Sequence, residues 1–464
     1  MLKRYVGDRA FYGRILAVAL PIIIQNAITN FVALLDNIMV GQLSTAQISG
    51  VTIVNNNLMF IFNICMFGAA AGAGIFTTQF RGSGNNEGIR YTLRFKVILC
   101  AVLAVLAGFT FYFMADPLIG LYLTGEGDPQ LAADTLAAGR SYMYMMIWGM
   151  LPFAITNAYS STLRECGKPK VPMTAGIIAT FVNLALNYIL IFGHFGAPAM
   201  GVRGAALATV ISRYVEMVIV IAWMHSHTED CPYAKGLFRS LYIPRELLGS
   251  IATKGMPLLL NEFMWTIGMA LVNRFYSTCG LDVVPAMSIS STIYNLAAVV
   301  FRSLGNTVGI FMGQMLGARR PTEELMDTNR KMTALAAFSG VVFGIIVASL
   351  SGAFPMLYNT SDEVRQLATK TILVSAILMP LQAFSFPVYF TLRAGGKTVV
   401  TTLFDCGTIW FLYLPISGLL STFTPLPFLA IYAICNCSDL VKCIVGSSLI
   451  RSGVWIQYLT GPEK

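Results

Sequence analysis

Charged side chains are scarce in this sequence of 464 residues, where aspartate, glutamate, lysine and arginine together make up 11%. Soluble domains carry about 25%, because their water-facing surface must be covered by polar groups. Hydrophobic residues make up 56% of the chain, and the mean hydropathy is +0.68. The scarcity of charge excludes an ordinary soluble globular protein and indicates a chain whose solvent is a bilayer.

Signatures of catalysis and of metal binding are missing as well. The chain has three histidines that form no cluster, no Ser/Lys dyad and no phosphate-binding glycine loop, which argues against an enzyme and against ATP-driven transport by this chain alone. The nine cysteines have no zinc-ligand spacing, and we interpret them as small buried hydrophobic residues. The net charge of +9 is spread over short loops, so no nucleic-acid partner is expected.

Apolar stretches of about 20 residues, each long enough to cross about 30 Å of hydrocarbon, recur along the chain. They predict an all-α integral membrane protein with twelve transmembrane helices, the first of them retained rather than cleaved as a signal peptide. The predicted segments are residues 15–41, 48–80, 92–115, 136–161, 172–192, 204–225, 255–278, 285–316, 331–355, 366–391, 398–420 and 425–448.

The basic residues predict the orientation of these segments. Of the 31 lysines and arginines, 23 lie on the side of the two termini, five lie on the opposite side and three lie inside segments. Short cytoplasmic loops are enriched in lysine and arginine. We therefore predict a multi-pass protein of the cell membrane with both termini in the cytoplasm.

The two halves of the sequence are copies of each other. Three segments of the first half recur in the same order in the second half, at offsets that fall from 236 to 229 residues. The matching ranges are 19–26 with 255–262, 75–82 with 310–317, and 163–168 with 392–397.

Six spans per copy give both copies the same orientation, so the repeats are parallel. Transporters built in this way hold substrate near the interface of their repeats and work by alternating access. The predicted domains are an N-terminal lobe over residues 1–225, a cytoplasmic linker over 226–254 and a C-terminal lobe over 255–464.

One carboxylate stands alone in the first two spans: Asp36 is the only charged side chain between Ile15 and Phe80. A carboxylate at the centre of a membrane helix costs roughly 2.5–3.5 kcal/mol on insertion scales. Such a residue either has a function or lies at a helix end and reaches headgroups or water. The repeat places Val272 at the equivalent position, so the carboxylate belongs to the N-terminal half alone.

Polar partners for Asp36 are available in the fifth and sixth spans. Asn183 and Asn187 are four residues apart and share a helix face, and Thr209 adds a hydroxyl group. Together with Asp36 they would form an oxygen-rich cluster that suits Na⁺, and equally a carboxyl group that binds and releases a proton. The alternative for the two asparagines is hydrogen bonding between helices, worth about 0.6 kcal/mol on average.

Taken together, these patterns resemble the multidrug and toxic compound extrusion (MATE) family over the whole chain. The resemblance depends on the order, spacing and twofold recurrence of its motifs. They are Pro21 followed by Asp36–Gly41, Gln79–Gly84, Asn183–Gly193, Gly201–Ala206 with Ala208–Thr209, and the Leu-Arg…Gly-Lys loops at 163–168 and 392–397.

The resemblance implies two six-helix lobes in a V-shaped arrangement. It also implies a secondary antiporter that exports cationic or amphipathic small molecules in exchange for inward Na⁺ or H⁺, without a cofactor. The ion site of the family corresponds to Asp36, Asn183 and Asn187, which would hold Na⁺ if that is the ion, and less directly to Thr209. Some relatives have Asp at the position of Asn187. We expect a monomer in the bilayer.

Glu262 is a second intramembrane carboxylate, eight residues past Lys254 and so about 12 Å along a helix. One branch of the family has a functional Glu about one turn later, where this chain has Trp265, and an Asp where this chain has Gln382. Glu262 with Gln382 is thus a second candidate site, for substrate or for proton relay. The alternative for Glu262 is an ion pair with a nearby basic group.

Two further pairs of charges lie three residues apart on predicted helices, Arg213 with Glu216 and Asp439 with Lys442. We interpret both as ion pairs within one helix.

The alternative function is a flippase for lipid-linked saccharides, which shares paired six-helix lobes within the broader superfamily. A flippase of that kind would favour a basic interior, and few basic residues lie inside the predicted spans.

Overall fold

The computed structural model describes residues 5–123 and 128–460, and this part of the chain consists of helices and connecting turns without β-strands. The predicted all-α class is confirmed. The α-helices are α1 (Arg9–Val40), α2 (Thr45–Ile53), α3 (Phe60–Gly82), α4 (Asn86–Phe113), α5 (Ala115–Gly120), α6 (Pro129–Glu165), α7 (Lys170–Phe192), α8 (Val202–Ser226), α9 (Arg245–Ser277), α10 (Val283–Gly317), α11 (Thr322–Leu350), α12 (Asp362–Ala394), α13 (Thr398–Thr408), α14 (Leu414–Phe423), α15 (Phe428–Cys437) and α16 (Asp439–Arg451).

The described helices account for the predicted spans. Eleven helical stretches are long and apolar enough to cross a membrane, and the remaining predicted segment coincides with α6, a helix of 37 residues. The second span consists of α2 and α3 joined by the π-helical segment Val54–Met59, and the eleventh of α13 and α14 joined by Ile409–Tyr413. The chain is a multi-pass membrane protein; its predicted cytoplasmic termini, residues 1–4 and 461–464, lie outside the described residues.

Short-range chemistry sets several helix ends. The Asp128 side chain accepts a hydrogen bond from the Gln130 backbone N–H at 2.9 Å, and Pro129 occupies the first turn of α6, where its missing N–H costs nothing. Ser361 caps α12 in the same way. Gly193 ends α7 with φ +77°, a left-handed conformation that glycine adopts without steric cost.

The described chain packs as two units. One contains residues 24–77 and 86–251, with a core of apolar side chains from α2, α4, α6 and α8 that includes Met143, Met150 and Ala206. The other contains residues 5–23, 78–85 and 252–460. In this second unit, Ile15 and Ala19 of α1 pack in one core with residues of α10, α11 and α12. The division by repeat into 1–225, 226–254 and 255–464 stays a prediction.

The segment between α8 and α9 is folded against α4, within the first of these units. Arg94, a buried residue of α4, donates hydrogen bonds to the backbone carbonyls of Leu237, Gly236 and Tyr242 at 2.6, 3.0 and 3.1 Å. Tyr233 is completely buried. The last ten residues of the predicted linker belong to α9, so the linker is an ordered connection.

The cysteines depart in part from the expectation. All nine are free, and five are buried. Cys437 is exposed, so its predicted burial is wrong. Cys435 and Cys437 are two residues apart on α15, which directs them to different sides of the helix, and only the side of Cys435 faces the core.

Candidate functional site

Asp36 lies four residues before the end of α1 and is partly buried. Its Oδ1 accepts a hydrogen bond from the Asn187 side-chain amide on α7 at 2.7 Å. The two residues are 151 positions apart in the sequence. The contact is therefore made by packing α1 beside α7 and not by local structure.

The four residues predicted for the first site form one chain of hydrogen bonds. The Asn187 amide also donates to Asn183 Oδ1 at 3.2 Å, one helical turn away on the same face of α7. The Asn183 amide donates to Thr209 Oγ1 at 3.3 Å, and the Thr209 hydroxyl donates to the Ala205 carbonyl at 3.0 Å. Asn183 and Asn187 are buried, with 6% and 2% exposure.

A glycine brings α8 close enough to α7 for this contact. A Cβ atom on Gly204 would lie 2.5 Å from the carbonyl oxygen of Leu190, closer than any real side chain approaches. The absence of a side chain at Gly204 lets the two helices meet, and Thr209, five residues later, then faces the asparagines.

The Asn187 amide stabilises a negative charge on Asp36, because its N–H donates directly to the carboxylate. Carboxylate, amide and hydroxyl oxygens are also the ligands that hard cations prefer. In the described ranges no group of three or more His, Cys, Asp or Glu side chains could hold a metal ion. A cation at this site would therefore depend on one carboxylate and on neutral oxygens, and a proton would depend on Asp36 alone.

The second half of the chain is apolar at the equivalent positions. The repeat offset is 236 in the first span and 229 in the loop before the fifth span, and the charged positions 213 and 216 align with 439 and 442 at an offset of 226. With these offsets the counterparts of Asp36, Asn187 and Thr209 are Val272, Ile416 and Cys435. All three counterparts lie in one apolar cluster, in which Val272 and Cys435 are completely buried. The polar site therefore belongs to one copy of a duplicated scaffold.

Glu262 and Gln382 form no hydrogen bond with each other in the described part of the chain. The Gln382 amide, on α12, donates to Asn436 Oδ1 at 3.5 Å. In the described part of the chain, the Glu262 carboxylate on α9 makes no hydrogen bond and no ion pair, although Arg393 and Arg302 are near enough for their charges to act on it. The proposed pairing of Glu262 with a basic neighbour is not found.

Sequence reasoning missed Asp405 on α13. The Lys442 ammonium on α16 donates to Asp405 Oδ1 at 2.6 Å, and the Asn261 amide donates to Asp405 Oδ2 at 3.1 Å. The ion pair predicted between Lys442 and Asp439 is thus wrong, because the Lys442 ammonium pairs with Asp405 on a neighbouring helix. The signal was present in the sequence, since Asp405 is a charged residue in the apolar segment 398–420.

The ion pair predicted between Arg213 and Glu216 is wrong as well. The Arg213 guanidinium donates to the Gly149 carbonyl at 3.4 Å and lies 4.8 Å from the centre of the Phe153 ring. It forms no ion pair with Glu216 in the described residues. A carbonyl and an aromatic face on α6 satisfy this cation in place of a carboxylate on its own helix.

A second polar contact in the same unit was also missed. Asn55, within the π-helical segment, and Tyr142 on α6 exchange hydrogen bonds of 2.9 and 3.2 Å. The Tyr142 hydroxyl interacts electrostatically with both Asp36 and Arg213. Three consecutive asparagines, residues 55–57, in an otherwise apolar span were the signal for this contact.

The chain resembles known proteins along nearly all of its length. The family model MatE matches residues 21–189 and 257–417. The probable multidrug resistance protein NorM of Thermotoga maritima is 22% identical over 403 residues, covering 87% of this chain and 84% of the relative. The probable multidrug resistance protein YoeA of Bacillus subtilis is 25% identical over 418 residues, covering 89% and 87%.

Solved structures share the fold. An outward-facing conformation of a multidrug resistance MATE family transporter of the MOP superfamily superposes with a TM-score of 0.84 at 18% identity, covering 97% of this chain and 98% of that one. A MOP superfamily transporter from Pyrococcus furiosus gives the same TM-score and identity, with 97% of each chain covered.

Proposed function

Since this chain belongs to the MatE family of multidrug efflux transporters, and is therefore a transporter and not an enzyme, we propose that it is a secondary antiporter. In this proposal it exports cationic or amphipathic small molecules in exchange for inward Na⁺ or H⁺. It needs no cofactor, works as a monomer and resides in the cell membrane with both termini in the cytoplasm.

The observation that carries the proposal is the hydrogen-bonded carboxylate of Asp36. An anion in a membrane helix is costly to keep and is therefore expected to have a function. Binding of Na⁺ or H⁺ neutralises Asp36, and its release restores the charge that Asn187 stabilises. The two states differ in electrostatic energy, which gives the ion a way to bias one conformation over the other.

The second carboxylate, Glu262, supplies an anchor for the substrate. It is half-buried and free of ion pairs among the described residues, so its charge is available to a cationic ligand. The side-chain amide of Gln382 donates to Asn436, so Gln382 adds a polar group but no charge to the proposed substrate site. Cationic and amphipathic compounds match a half-buried carboxylate that has no ion-pair partner among the described residues.

Transport into everted membrane vesicles tests the proposal. Ethidium uptake is measured under an imposed Na⁺ gradient and, separately, under an imposed pH gradient; the gradient that drives uptake identifies the coupling ion. Asp36→Asn is expected to abolish gradient-driven uptake. The matched control is Asp116→Asn, because Asp116 is a half-exposed carboxylate that pairs with Arg140 at 3.2 Å.

Asp116→Asn is expected to transport like the unmodified protein. Undiminished gradient-driven uptake by Asp36→Asn at equal expression would contradict the coupling role of Asp36. Uptake that neither gradient drives would contradict antiport itself.

A further inference from the structure

A second charged cluster lies within the unit that contains most of the C-terminal half, and its centre is Asp405. Both oxygens of this carboxylate are occupied, one by Lys442 and the other by Asn261. Asn261 is itself fixed, because it is 1% exposed and the Cys406 thiol donates to its backbone and side-chain oxygens at 3.1 Å. Asp405 therefore keeps one firm partner even without Lys442.

Lys442 acts on more than one carboxylate. It lies one helical turn after Asp439, a buried residue, and interacts electrostatically with both Asp439 and Asp405. Asp405 in turn is close enough to Glu262 for the two charges to repel each other. Lys442 thus offsets negative charge on Asp405 and Asp439, whereas Glu262 makes no ion pair within the described ranges and is influenced by Arg393 and Arg302.

The Lys442–Asp405 pair is largely but not completely buried. The side chains of Lys442 and Asp405 are 14% and 18% exposed. The buried pair in the other unit provides a contrast: Lys96 is completely buried and bonds to Glu165 and to two hydroxyl groups on α6. Lys96 is completely enclosed, whereas Lys442 keeps part of its side chain exposed.

We propose that Lys442 is a specificity-determining residue that limits the charge of the substrate. By neutralising Asp405 it leaves Glu262 to bind one positive charge, and its own ammonium repels a second. The C-terminal site then favours monocations over dications of the same shape. This inference depends on the proposed function, in which Glu262 anchors a cationic substrate.

Specificity is a difference between two affinities, so the test compares two ligands. Ethidium and propidium share one aromatic core, and propidium carries an additional quaternary ammonium group. Their binding to the purified full-length protein in detergent is measured by fluorescence anisotropy. Lys442→Gln is expected to raise the affinity for propidium relative to ethidium by roughly tenfold, the order expected of one unit charge about 10 Å away in a protein interior.

Two variants control for effects other than charge. Lys442→Arg retains the cation and is expected to keep the original ratio of affinities. In the double variant Asp405→Asn with Lys442→Gln, the carboxylate that Lys442 neutralised is also removed. The affinity for propidium relative to ethidium is expected to return to the original value. If Lys442→Gln does not fold, the single variant Asp405→Asn is tested in its place. The affinity for propidium relative to ethidium is then expected to fall, because an unpaired Lys442 repels dications more strongly.

An unchanged ratio in folded Lys442→Gln, or the same rise in the double variant, would overturn the inference. The same holds if the unmodified protein binds neither dye. Failure of the proposed function is distinguishable from these outcomes: the binding ratio would respond to Lys442 as expected, while no ion gradient would drive ethidium into vesicles.

Discussion

The side-chain amide of Asn187 donates to the carboxylate of Asp36 at 2.7 Å and, through the same nitrogen, to Asn183 at 3.2 Å. One amide group therefore connects the lone charge of α1 to the polar face of α7. Whatever changes the charge of Asp36 also changes the strength of its bond to α7, because hydrogen bonds to ionised groups are about twice as strong as neutral ones.

Asn187→Ala is expected to lower gradient-driven transport about tenfold. The substitution removes a hydrogen bond to a charged group, worth roughly 1.5–3 kcal/mol. The measurement is the initial rate of ethidium uptake into everted vesicles, divided by the amount of folded protein. The matched control is Asn329→Ala, which removes a buried asparagine that donates to Thr391 outside the site. Equal rates per folded molecule for both variants would contradict a special role for Asn187.

Val272→Asp is expected to destabilise the protein and not to create a second ion site. Val272 is completely buried in an apolar cluster with Tyr276 and Phe428, so a carboxylate there would lack the amide that Asp36 has. The expected loss is on the order of 3 kcal/mol, seen as a lower melting temperature in detergent. Val272→Thr, similar in size and uncharged, is expected to cost less, and equal losses for both variants would refute the electrostatic explanation.

Gly317→Ala is expected to destabilise the contact between the ends of α3 and α10. A Cβ on Gly317 would lie 1.9 Å from the Gln79 carbonyl oxygen, and one on Gly82 would lie 1.9 Å from that of Gln314. The repeat makes these two contacts equivalent. Overpacking of this kind costs about 1–3 kcal/mol, measurable as a lower melting temperature. Gly13→Ala is the control, since nothing lies within 4 Å of a Cβ there; equal melting temperatures for the two variants would contradict the tight contact.

Arg94→Lys is expected to loosen the connection between α8 and α9. Arg94 donates to three carbonyls of that segment, and a lysine ammonium lacks the planar fork that makes these bonds together. Limited digestion with trypsin, followed by mass spectrometry, should show faster cleavage after Lys235 and Arg239. Arg90→Lys removes only the bond from Arg90 to the Tyr233 carbonyl and should have a smaller effect. Cleavage no faster than in the unmodified protein would contradict the anchoring role of Arg94.

The fold was largely predictable from the sequence because its signals are local. Apolar runs of sufficient length define the spans, and lysines and arginines in short loops predict the orientation. Repeated motifs reveal the duplication without any knowledge of packing. The hydrogen-bonded cluster around Asp36 was predictable for the same reason: a lone carboxylate and two asparagines four residues apart stand out against apolar sequence.

The partners of charged residues were not predictable, because they depend on which helices become neighbours. Spacing along the chain favoured Asp439 for Lys442, yet Asp405 on another helix takes the ammonium at 2.6 Å. Arg213 similarly donates to a backbone carbonyl and lies over an aromatic ring, and does not pair with the carboxylate three residues away. In a bilayer, a helix face that contacts lipid and one that contacts another helix are both apolar, so the pattern does not identify the neighbour.

The sequence by itself therefore determined the membrane location, the all-α class, the duplication and the presence of a lone carboxylate in one copy. Only the tertiary structure decided that Asn187 holds this carboxylate, that Val272 lies in an apolar cluster, and that Lys442 and Asp405 pair across two helices. The physical reason is range: helix formation and membrane insertion depend on residues within one segment, whereas hydrogen bonds and ion pairs between helices depend on positions that more than a hundred residues of chain can separate.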